Sequence, residues 1–327
     1  MSVLYLPSRC TSDLPDEFGE HHVAEVKMDG SRYVLYIGDN IDPYGRQESH
    51  TLLSRRVSTV DNKHVDRTLQ IPHITDQLYQ MSVMGTVLDG EIFKDDFQTT
   101  TSIIGSGPKL AIEKQEREGY LKYHVWDVMQ FRGQDVRGLT LSKRRKILLE
   151  VCDRLNNPYI IPIEQFETNF EEKFHDITGE GGEGLIVKDS RMGYGIGWAK
   201  WKKAYEVTAV ITGFTPASPG KYSGLVGAMK LSVYDHSGRE CLIGKTSGFS
   251  DAIRMDMTKN PENYVGRCVD VNTMRLNKPS SDHPHGRLFQ PSFHRFRDDY
   301  NASEVTLEKL KADLKKKAKS NRNKFGG

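Results

Sequence analysis

Charged side chains recur at a spacing of two inside short, otherwise apolar segments of this chain. Glu25 and Lys27 show this spacing in one segment, and Asp89 and Glu91 repeat it in another. Residues two apart in a β-strand point to the same face. Because a buried charge without a partner costs several kcal/mol, such paired charges predict strand faces that line a polar cleft. Lys200 and Lys202 repeat the spacing, Glu183 and Lys188 bracket the apolar run Gly184-Leu185-Ile186-Val187, and Trp126-Asp127 lies within the strand-like segment from Tyr123 to Met129.

The residue types in these segments are those that bind a phosphorylated ligand. Lysine and arginine neutralise phosphate groups, carboxylates hold a divalent cation, and an aromatic ring stacks on a base. The pattern alone leaves a second interpretation open, in which each charged pair lies at a solvated strand end or forms a local ion pair.

The composition indicates an intracellular, soluble protein of about two domains. The chain has 327 residues, of which 37% are hydrophobic and 28% charged, and a domain takes roughly 100 to 200 residues. Its apolar runs are far shorter than the ~20 residues of a membrane span, and the N-terminus does not read as a signal peptide. The four cysteines form no CxxC pair, so we expect neither a disulfide framework nor a structural zinc site.

Three regions of the sequence differ in composition and in predicted secondary structure. Residues 1–205 mix strand patterns with helical patterns at 108–118 and 141–155, which predicts an α+β domain of sheets with helices. Asp29-Gly30 predicts a β-hairpin or a tight connection between two strands. We expect the cluster from Lys143 to Lys146 on the polar side of its helix. Residues 206–300 form short β-rich runs between Gly, Pro and Ser turns, typical of a small all-β barrel or sandwich.

The last region, residues 301–327, is basic. It holds 8 Lys and Arg against 3 Asp and Glu, which indicates a polyanionic partner or simply a solvated charge run. Asn301 and Glu304 resemble a capping box, and Leu307, Leu310 and Leu314 share a helical face, so we expect the region to begin as a helix.

The charged segments match a known set of motifs in order. Lys27-Met28-Asp29-Gly30-Ser31-Arg32 resembles the K-x-D-G-x-R signature of the covalent nucleotidyltransferases, which comprise ATP-dependent DNA ligases, RNA ligases and mRNA capping enzymes. The later matches are Ser54-Arg55, Asp89-Gly90-Glu91, Val125-Trp126-Asp127, Glu183-Gly184-Leu185-Ile186-Val187-Lys188, Lys200-Trp201-Lys202 and Pro291-Ser292-Phe293-His294-Arg295-Phe296-Arg297-Asp298-Asp299.

The set spans about residues 20–300 and is most similar to the minimal two-domain ATP-dependent DNA ligases of viruses and bacteria. The resemblance implies a nucleotidyltransferase (adenylation) domain over residues 1–205, an all-β OB-fold barrel over 206–300 and a basic helix or tail over 301–327. It further implies a monomer that uses ATP and Mg²⁺ on nicked double-stranded DNA, away from membranes. We expect it in the cytoplasm or on the nucleoid of a bacterial host, or as a virus-encoded protein.

The resemblance also assigns a role to each matching residue. Lys27 would be the nucleophile that forms a lysyl-AMP, and Lys200 and Lys202 would assist the transfer by neutralising phosphate charge. Glu25 would read the adenine base and Trp126 would stack on it. Further nucleotide contacts would come from Arg32, Arg55, Glu91, Glu183, Lys188 and Arg297, with Glu91 and Glu183 as metal ligands. DNA contacts would come from Arg32, Arg55, Lys315, Lys316 and Lys317.

Some alternatives stay open. An RNA ligase or a GTP-dependent capping enzyme shares most of these motifs, and a non-catalytic OB-fold protein would bind nucleic acid without the chemistry. Trp126 and Trp201 are also candidates for core aromatics. The chain departs from the family at Tyr300, where the closing motif usually has a lysine.

Overall fold

The chain forms two structural units, Met1–Trp201 and Lys202–Gly327. The computed structural model describes residues 4–38, 44, 50–79, 81–315 and 319–320. Each unit has its own hydrophobic core, as expected of a domain. In the described part of the chain, no helix has the length and apolar character to cross a bilayer.

The larger sheet of the first unit follows the order β4-β3-β2-β5-β6-β7, with antiparallel neighbours, and β8 lies parallel beside β6. Its strands are β2 (Ser31–Ile37), β3 (His50–Val57), β4 (His64–Asp66), β5 (Thr86–Phe93), β6 (Lys122–Phe131), β7 (Gln134–Asp135) and β8 (Ile160–Pro162). The smaller antiparallel sheet has β1 (His22–Val26) between β9 (Gln165–Phe166) and β10 (Gly184–Asp189).

Helices cover one face of each sheet. They are α1 (Pro72–Thr75), α2 (Phe97–Ile104), α3 (Pro108–Glu118), α4 (Leu141–Leu155) and α5 (Phe170–Gly179). Residues of α1 to α4 pack with Leu35, Leu88 and Val125 of the larger sheet, and Phe170 and Phe174 of α5 pack against the smaller sheet. The opposite face of the larger sheet carries a second, smaller apolar cluster that includes Val34, Tyr36 and Met129, so polar residues occupy only part of that face.

The bounds predicted for the two longest helices are confirmed. Thr140 caps α4 by accepting a hydrogen bond from Lys143 N, and Asn156 ends the helix in the left-handed conformation. The placement of the basic cluster was wrong in one respect, because Arg144 is fully buried rather than on the polar side. Its guanidinium donates from Nε and Nη2 to the two carboxylate oxygens of Asp127, at 2.7 and 2.9 Å.

The turn at Asp29-Gly30 is a tight connection and not a hairpin. β1 pairs with β9 and β10, whereas β2 pairs with β3 and β5, so the chain passes from one sheet to the other within four residues. A Cβ atom on Gly30 would lie 2.3 Å from the carbonyl oxygen of Ile92. The backbone passes so close to β5 that only glycine fits.

The second unit is an antiparallel barrel. Its main strands are β11 (Ala199–Pro216, which begins in the first unit), β12 (Val226–Tyr234), β13 (Glu240–Thr246), β14 (Cys268–Thr273) and β17 (Ser292–Arg297). They pair in the order β13-β12-β11-β14-β17, and a parallel bridge between Ser247 and Ser292 brings the two ends of this path together. With helix α6 (Asp251–Lys259) between the third and fourth strands, this is the OB-fold topology. The predicted α+β fold with antiparallel sheets followed by an OB-fold barrel is therefore confirmed.

The remaining described elements extend this unit. A short hairpin joins β15 (Arg275–Asn277) to β16 (Arg287–Phe289), and β18 (Lys319–Ser320) pairs with β11. The expected capping box at Asn301 and Glu304 is present, but it starts a 3-10 turn, Ala302–Glu304. The α-helix, α7 (Leu307–Asp313), begins later and has Thr306 as its cap. Leu307 and Leu310 belong to the core of the second unit.

Candidate active site

Most of the predicted site residues in the first unit lie on the sheet faces that point away from the helices. On the smaller sheet, Glu25 alternates with Ala24, whose face packs against α5, so Glu25 and the next residue of that parity, Lys27, point the other way. On the larger sheet, the register places Arg32 opposite Glu91. The intervening residues belong to the core under the helices.

Lys27 follows directly on β1 and is held from both its main chain and its side chain. Its backbone N–H donates to the carbonyl of Gly184 at 2.9 Å, and its ammonium forms an ion pair with the buried carboxylate of Glu183. Gly184 begins β10 and Glu183 is the residue before it, so the pairing of β1 with β10 places the lysine. The structure thereby brings two of the predicted residues into contact.

Glu91 lies close to the same lysine. Its Oε1 accepts a hydrogen bond from Gly30 N at 2.9 Å. Burial raises the pKa of the Glu91 carboxyl to about 7, although the Lys27 charge, the Gly30 hydrogen bond and the Arg32 charge each act to lower it. Glu91 therefore changes charge near neutral pH.

We predict opposite pH trends for reactivity and stability at this carboxyl. A cation or a ribose hydroxyl is bound by the ionised form, so any nucleotide reaction at Lys27 should be about tenfold slower at pH 6 than at pH 8, as expected for one titration near 7. The Glu91 carboxyl keeps its proton up to about pH 7 in the folded state, whereas the unfolded chain loses it near pH 4.5. The free energy of unfolding should therefore fall as the pH rises from about 4.5 to about 7.

The matched variant for this prediction is Glu91→Gln, which cannot titrate. Thermal melts of both proteins between pH 4.5 and 8 measure the difference. If the two melting temperatures keep a constant offset across this range, the raised pKa is wrong.

Asp89 is the centre of a hydrogen-bonded group on the larger sheet. The side chain is fully buried and accepts hydrogen bonds from Arg32 Nε at 2.9 Å and from Arg32 Nη2 at 2.6 Å. It also accepts Trp126 Nε1 at 2.9 Å and the Tyr194 hydroxyl at 2.6 Å. Arg32 lies over the Trp126 ring at 5.1 Å and donates to the Ser8 carbonyl at 2.6 Å. The predicted phosphate contact and the predicted base contact are thus oriented by one carboxylate.

Glu25 is buried on the smaller sheet, where two other strands supply its partners. Oε2 pairs with Lys188 Nζ of β10 at 2.5 Å, and Oε1 accepts Gln165 Nε2 of β9 at 2.7 Å. The Lys188 ammonium lies 4.3 Å from the centre of the Trp198 ring. Both predicted nucleotide contacts, Glu25 and Lys188, therefore form one buried ion pair.

Other predicted residues lie at the margins of this site or outside the first unit. Arg55 is exposed on β3, two residues after Leu53, which is opposite Val34, so it shares the face of Arg32. Trp201 is a core residue, stacked on Phe174 with ring centres 4.6 Å apart, and the neighbouring Lys200 is exposed.

In the second unit, Lys202 donates to Gln290 Oε1 at 3.2 Å. Arg297 makes a two-point contact with Asp299, at 2.7 and 2.9 Å, and also donates to the buried Asp270. These bonds, first to Asp299 and then to Asp270, raise the pKa of Arg297, and Arg297 holds the pKa of Asp299 at about 2. Lys315 is exposed, while Lys316 and Lys317 lie outside the described residues.

Sequence reasoning missed Asp89 as an organising residue and gave no role to Tyr194 or Gln165. Asp89 had a signal, because it shares a strand face with Glu91. Tyr194 and Gln165 had none, since they lie 105 and 140 residues from the carboxylates that they contact.

The group of residues on the two faces suits a nucleotide. A lysine beside two carboxylates can exchange a proton or share a cation, and a buried carboxylate and an indole can bind an amino-substituted base. Within the described ranges, no group of three or more His, Cys, Asp or Glu side chains is arranged to hold a metal ion. A cation here would therefore need other ligands besides the protein.

Comparisons with known proteins point the same way. The family model described as "ATP dependent DNA ligase domain" matches residues 6–204. The DNA ligase of Cenarchaeum symbiosum is 24% identical over 298 residues, covering 80% of this chain and 47% of the relative. The DNA ligase of Methanocorpusculum labreanum is also 24% identical, over 88% of this chain and 54% of the relative. The chain thus spans about half the length of these curated relatives.

Solved structures show a similar fold. One, titled as a structure-function analysis of DNA binding by Lig E DNA ligases, has a TM-score of 0.58 and 19% identity, and the match covers 91% of this chain and 99% of that one. Another, named Pmar-Lig_Pre., has a TM-score of 0.61 and 20% identity over 85% of this chain and 63% of that one.

Proposed function

Because the chain belongs to the ATP-dependent DNA ligase family, we propose that it seals nicks between a 3′-hydroxyl and a 5′-phosphate in duplex DNA. The reaction would pass through a lysyl-AMP and then a DNA-adenylate. The observation that carries the proposal is the ion pair of Lys27 with Glu183, together with the buried Glu91 carboxyl, on which the Lys27 charge acts. Lys27 continues the strand face of the smaller sheet that carries the Glu25–Lys188 pair, whereas Glu91 lies on the larger sheet.

In the first step, the lone pair of Lys27 Nζ attacks the α-phosphorus of ATP. A nitrogen–phosphorus bond forms, the bond to the bridging oxygen breaks, and pyrophosphate leaves with the electron pair. The amine must first lose a proton to solvent water. The ion pair with Glu183 favours the charged ammonium, so the lysine becomes nucleophilic only when this carboxylate is engaged elsewhere.

The carboxylates of Glu91 and Glu183 fit the role of Mg²⁺ ligands. Magnesium is commonly held by one or two protein carboxylates, with phosphate oxygens and water completing its shell, and this matches the small number of carboxylates at Lys27. When bound, Mg²⁺ would neutralise the charge that develops on the phosphates. The proposed ligands are thus also the groups whose engagement frees the Lys27 amine.

Basic residues supply the remaining phosphate contacts. Arg32, held by Asp89, and the exposed Arg55 would contact the 5′-phosphate or the nucleotide. Lys200 and Lys202 would neutralise charge during transfer, as Arg297 would for the leaving pyrophosphate. In the second step AMP moves to the 5′-phosphate, and in the third the 3′-hydroxyl displaces it.

We extend the proposal to the basic end of the chain and to the cell. The basic residues Lys315, Lys316 and Lys317 would contact phosphates of nicked duplex DNA. Such contacts bind DNA independently of its sequence. The enzyme would act as a monomer in the cytoplasm or on the nucleoid, where ATP and DNA are present together. An RNA ligase is the second candidate, because Lys27, Glu183 and Glu91 would carry out the same adenylation step in such an enzyme.

Intact mass spectrometry tests the first step. Protein stripped of AMP with pyrophosphate is incubated with Mg²⁺ and ATP, GTP or NAD in turn. We expect an AMP adduct from ATP alone, followed by sealing of a nicked DNA duplex in preference to a nicked RNA. A GMP adduct would instead support a capping enzyme. Folded protein that forms no adduct would be a non-catalytic binding protein.

A further inference from the structure

A short crossover joins the two sheets beside the candidate base-binding residues. Strand β8 lies beside β6, where Pro162 is opposite Val125, and three residues after Pro162 the chain enters β9, where Gln165 is opposite Glu25. The crossover therefore runs from the neighbour of Trp126 to the partner of Glu25.

The crossover is fixed by hydrogen bonds to its backbone. Ile163 N donates to the Val125 carbonyl at 2.8 Å. The Ile163 carbonyl accepts Arg145 Nη2 of α4 at 2.5 Å. A two-residue strand would be marginal by itself, but these bonds hold its start in place and so set the position of Gln165.

Gln165 in turn fixes the orientation of the Glu25 carboxylate. Its Nε2 donates to Oε1 at 2.7 Å, while Lys188 engages Oε2 at 2.5 Å. With a donor on each oxygen, the carboxylate cannot rotate without breaking a bond to a charged acceptor. A glutamine amide in this position must present its nitrogen to Glu25, because its oxygen would repel the carboxylate.

An oriented carboxylate distinguishes the two purines. It only accepts hydrogen bonds, so it binds the 6-amino group of adenine and repels the 6-oxygen of guanine. We infer that Gln165 is a positioning residue that aims Glu25 at the 6-amino group and thereby sets the selectivity of the chain for adenine. The inference rests on the proposed function, in which ATP is the nucleotide that reacts with Lys27.

Replacement of Gln165 removes one of the two restraints. Lys188 remains, and Arg145 is a second cation near Glu25, since burial lowers the pKa of Arg145 and the Glu25 charge opposes that shift. The carboxylate would then be drawn toward these cations and away from the base. The Lys27 region keeps its contacts with Glu183 and Gly184, so the chemical step itself should be intact.

The test compares ATP with purine riboside triphosphate, which lacks the 6-amino group. For each nucleotide, lysyl-AMP or analogue adduct formation is followed against concentration in the wild type and in Gln165→Leu. We expect the half-saturating ATP concentration to rise about tenfold, as for a lost bond to a charged group. The value for the analogue should change less than about twofold, with both maximal rates unchanged.

Two further variants separate positioning from a general loss of structure. Glu164→Gln changes an exposed residue of the same crossover and should leave both nucleotides unaffected. Gln165→Glu keeps the size of the side chain but places a second acceptor opposite Glu25. It should therefore weaken ATP binding more than Gln165→Leu does, and leave binding of the analogue unchanged.

The outcomes are distinct. If Gln165→Leu raised the half-saturating concentrations of ATP and the analogue by the same factor, or left both unchanged, the inference would be overturned. The ligase proposal would remain in place. A wild type that forms no adduct with ATP would overturn the proposed function itself.

Discussion

Lys27→Arg should abolish the AMP adduct, with a loss of at least about a thousandfold in the rate of lysyl-AMP formation. Arginine keeps the positive charge and can still pair with Glu183, but its guanidinium stays protonated and offers no free lone pair. Lys27→Ala should be equally inactive. Intact mass spectrometry after incubation with ATP and Mg²⁺ measures the adduct directly.

The control for Lys27→Arg is a DNA nick that already carries the adenylate. Sealing of this substrate needs the phosphate and base contacts but no new bond to the lysine, so the variant should retain sealing within about tenfold. An adduct formed on the arginine variant at an undiminished rate would show that another residue is the nucleophile.

Arg144→Met should destabilise the first unit by about 3–5 kcal/mol, the cost of leaving one charge of a buried pair without its partner. Arg144 and Asp127 are both buried, and their two hydrogen bonds measure 2.7 and 2.9 Å. In a unit of this size the loss corresponds to a decrease of about 10 °C in melting temperature. Thermal melts followed by circular dichroism measure it.

The matched control lies on the same helix. Arg154 pairs with Glu150 at 3.0 Å, and their side chains are 40% and 44% exposed, so Arg154→Met should cost less than about 0.5 kcal/mol. Adding Asp127→Leu to Arg144→Met should recover part of the loss, because no unpaired charge is then buried. If Arg144→Met and Arg154→Met lowered the melting temperature equally, the assignment of Arg144 to the core would be contradicted.

The sequence predicted the parts of the fold that depend on local pattern. Helices α3 and α4 are the two longest, with 11 and 15 residues, and begin and end at the predicted residues. Helices α2, α5 and α6 are shorter, with 8, 10 and 9 residues, so each offers few turns over which a helical period can be recognised. The family membership and the OB-fold topology followed from the order of the motifs.

The parts that the sequence could not predict depend on tertiary contacts. Helical periodicity treats every charged residue as exposed, so it placed Arg144 on the polar side although Asp127 from another element lies beside it. The hairpin alternative at Asp29-Gly30 failed because pairing of β1 with β10 and of β2 with β5 outweighs the local turn. The roles of Gln165 and Tyr194 arise only when distant strands and loops meet.

The Asp89 group has a consequence for genetics. Arg32 and Trp126 share one carboxylate with Tyr194, so a change at any of these positions disturbs the others. Substitutions that target a phosphate contact and a base contact should therefore give the same phenotype, and their combined effects should fall below the sum of the single effects. These four positions form a single epistatic unit, and in evolution they are expected to vary together rather than one at a time.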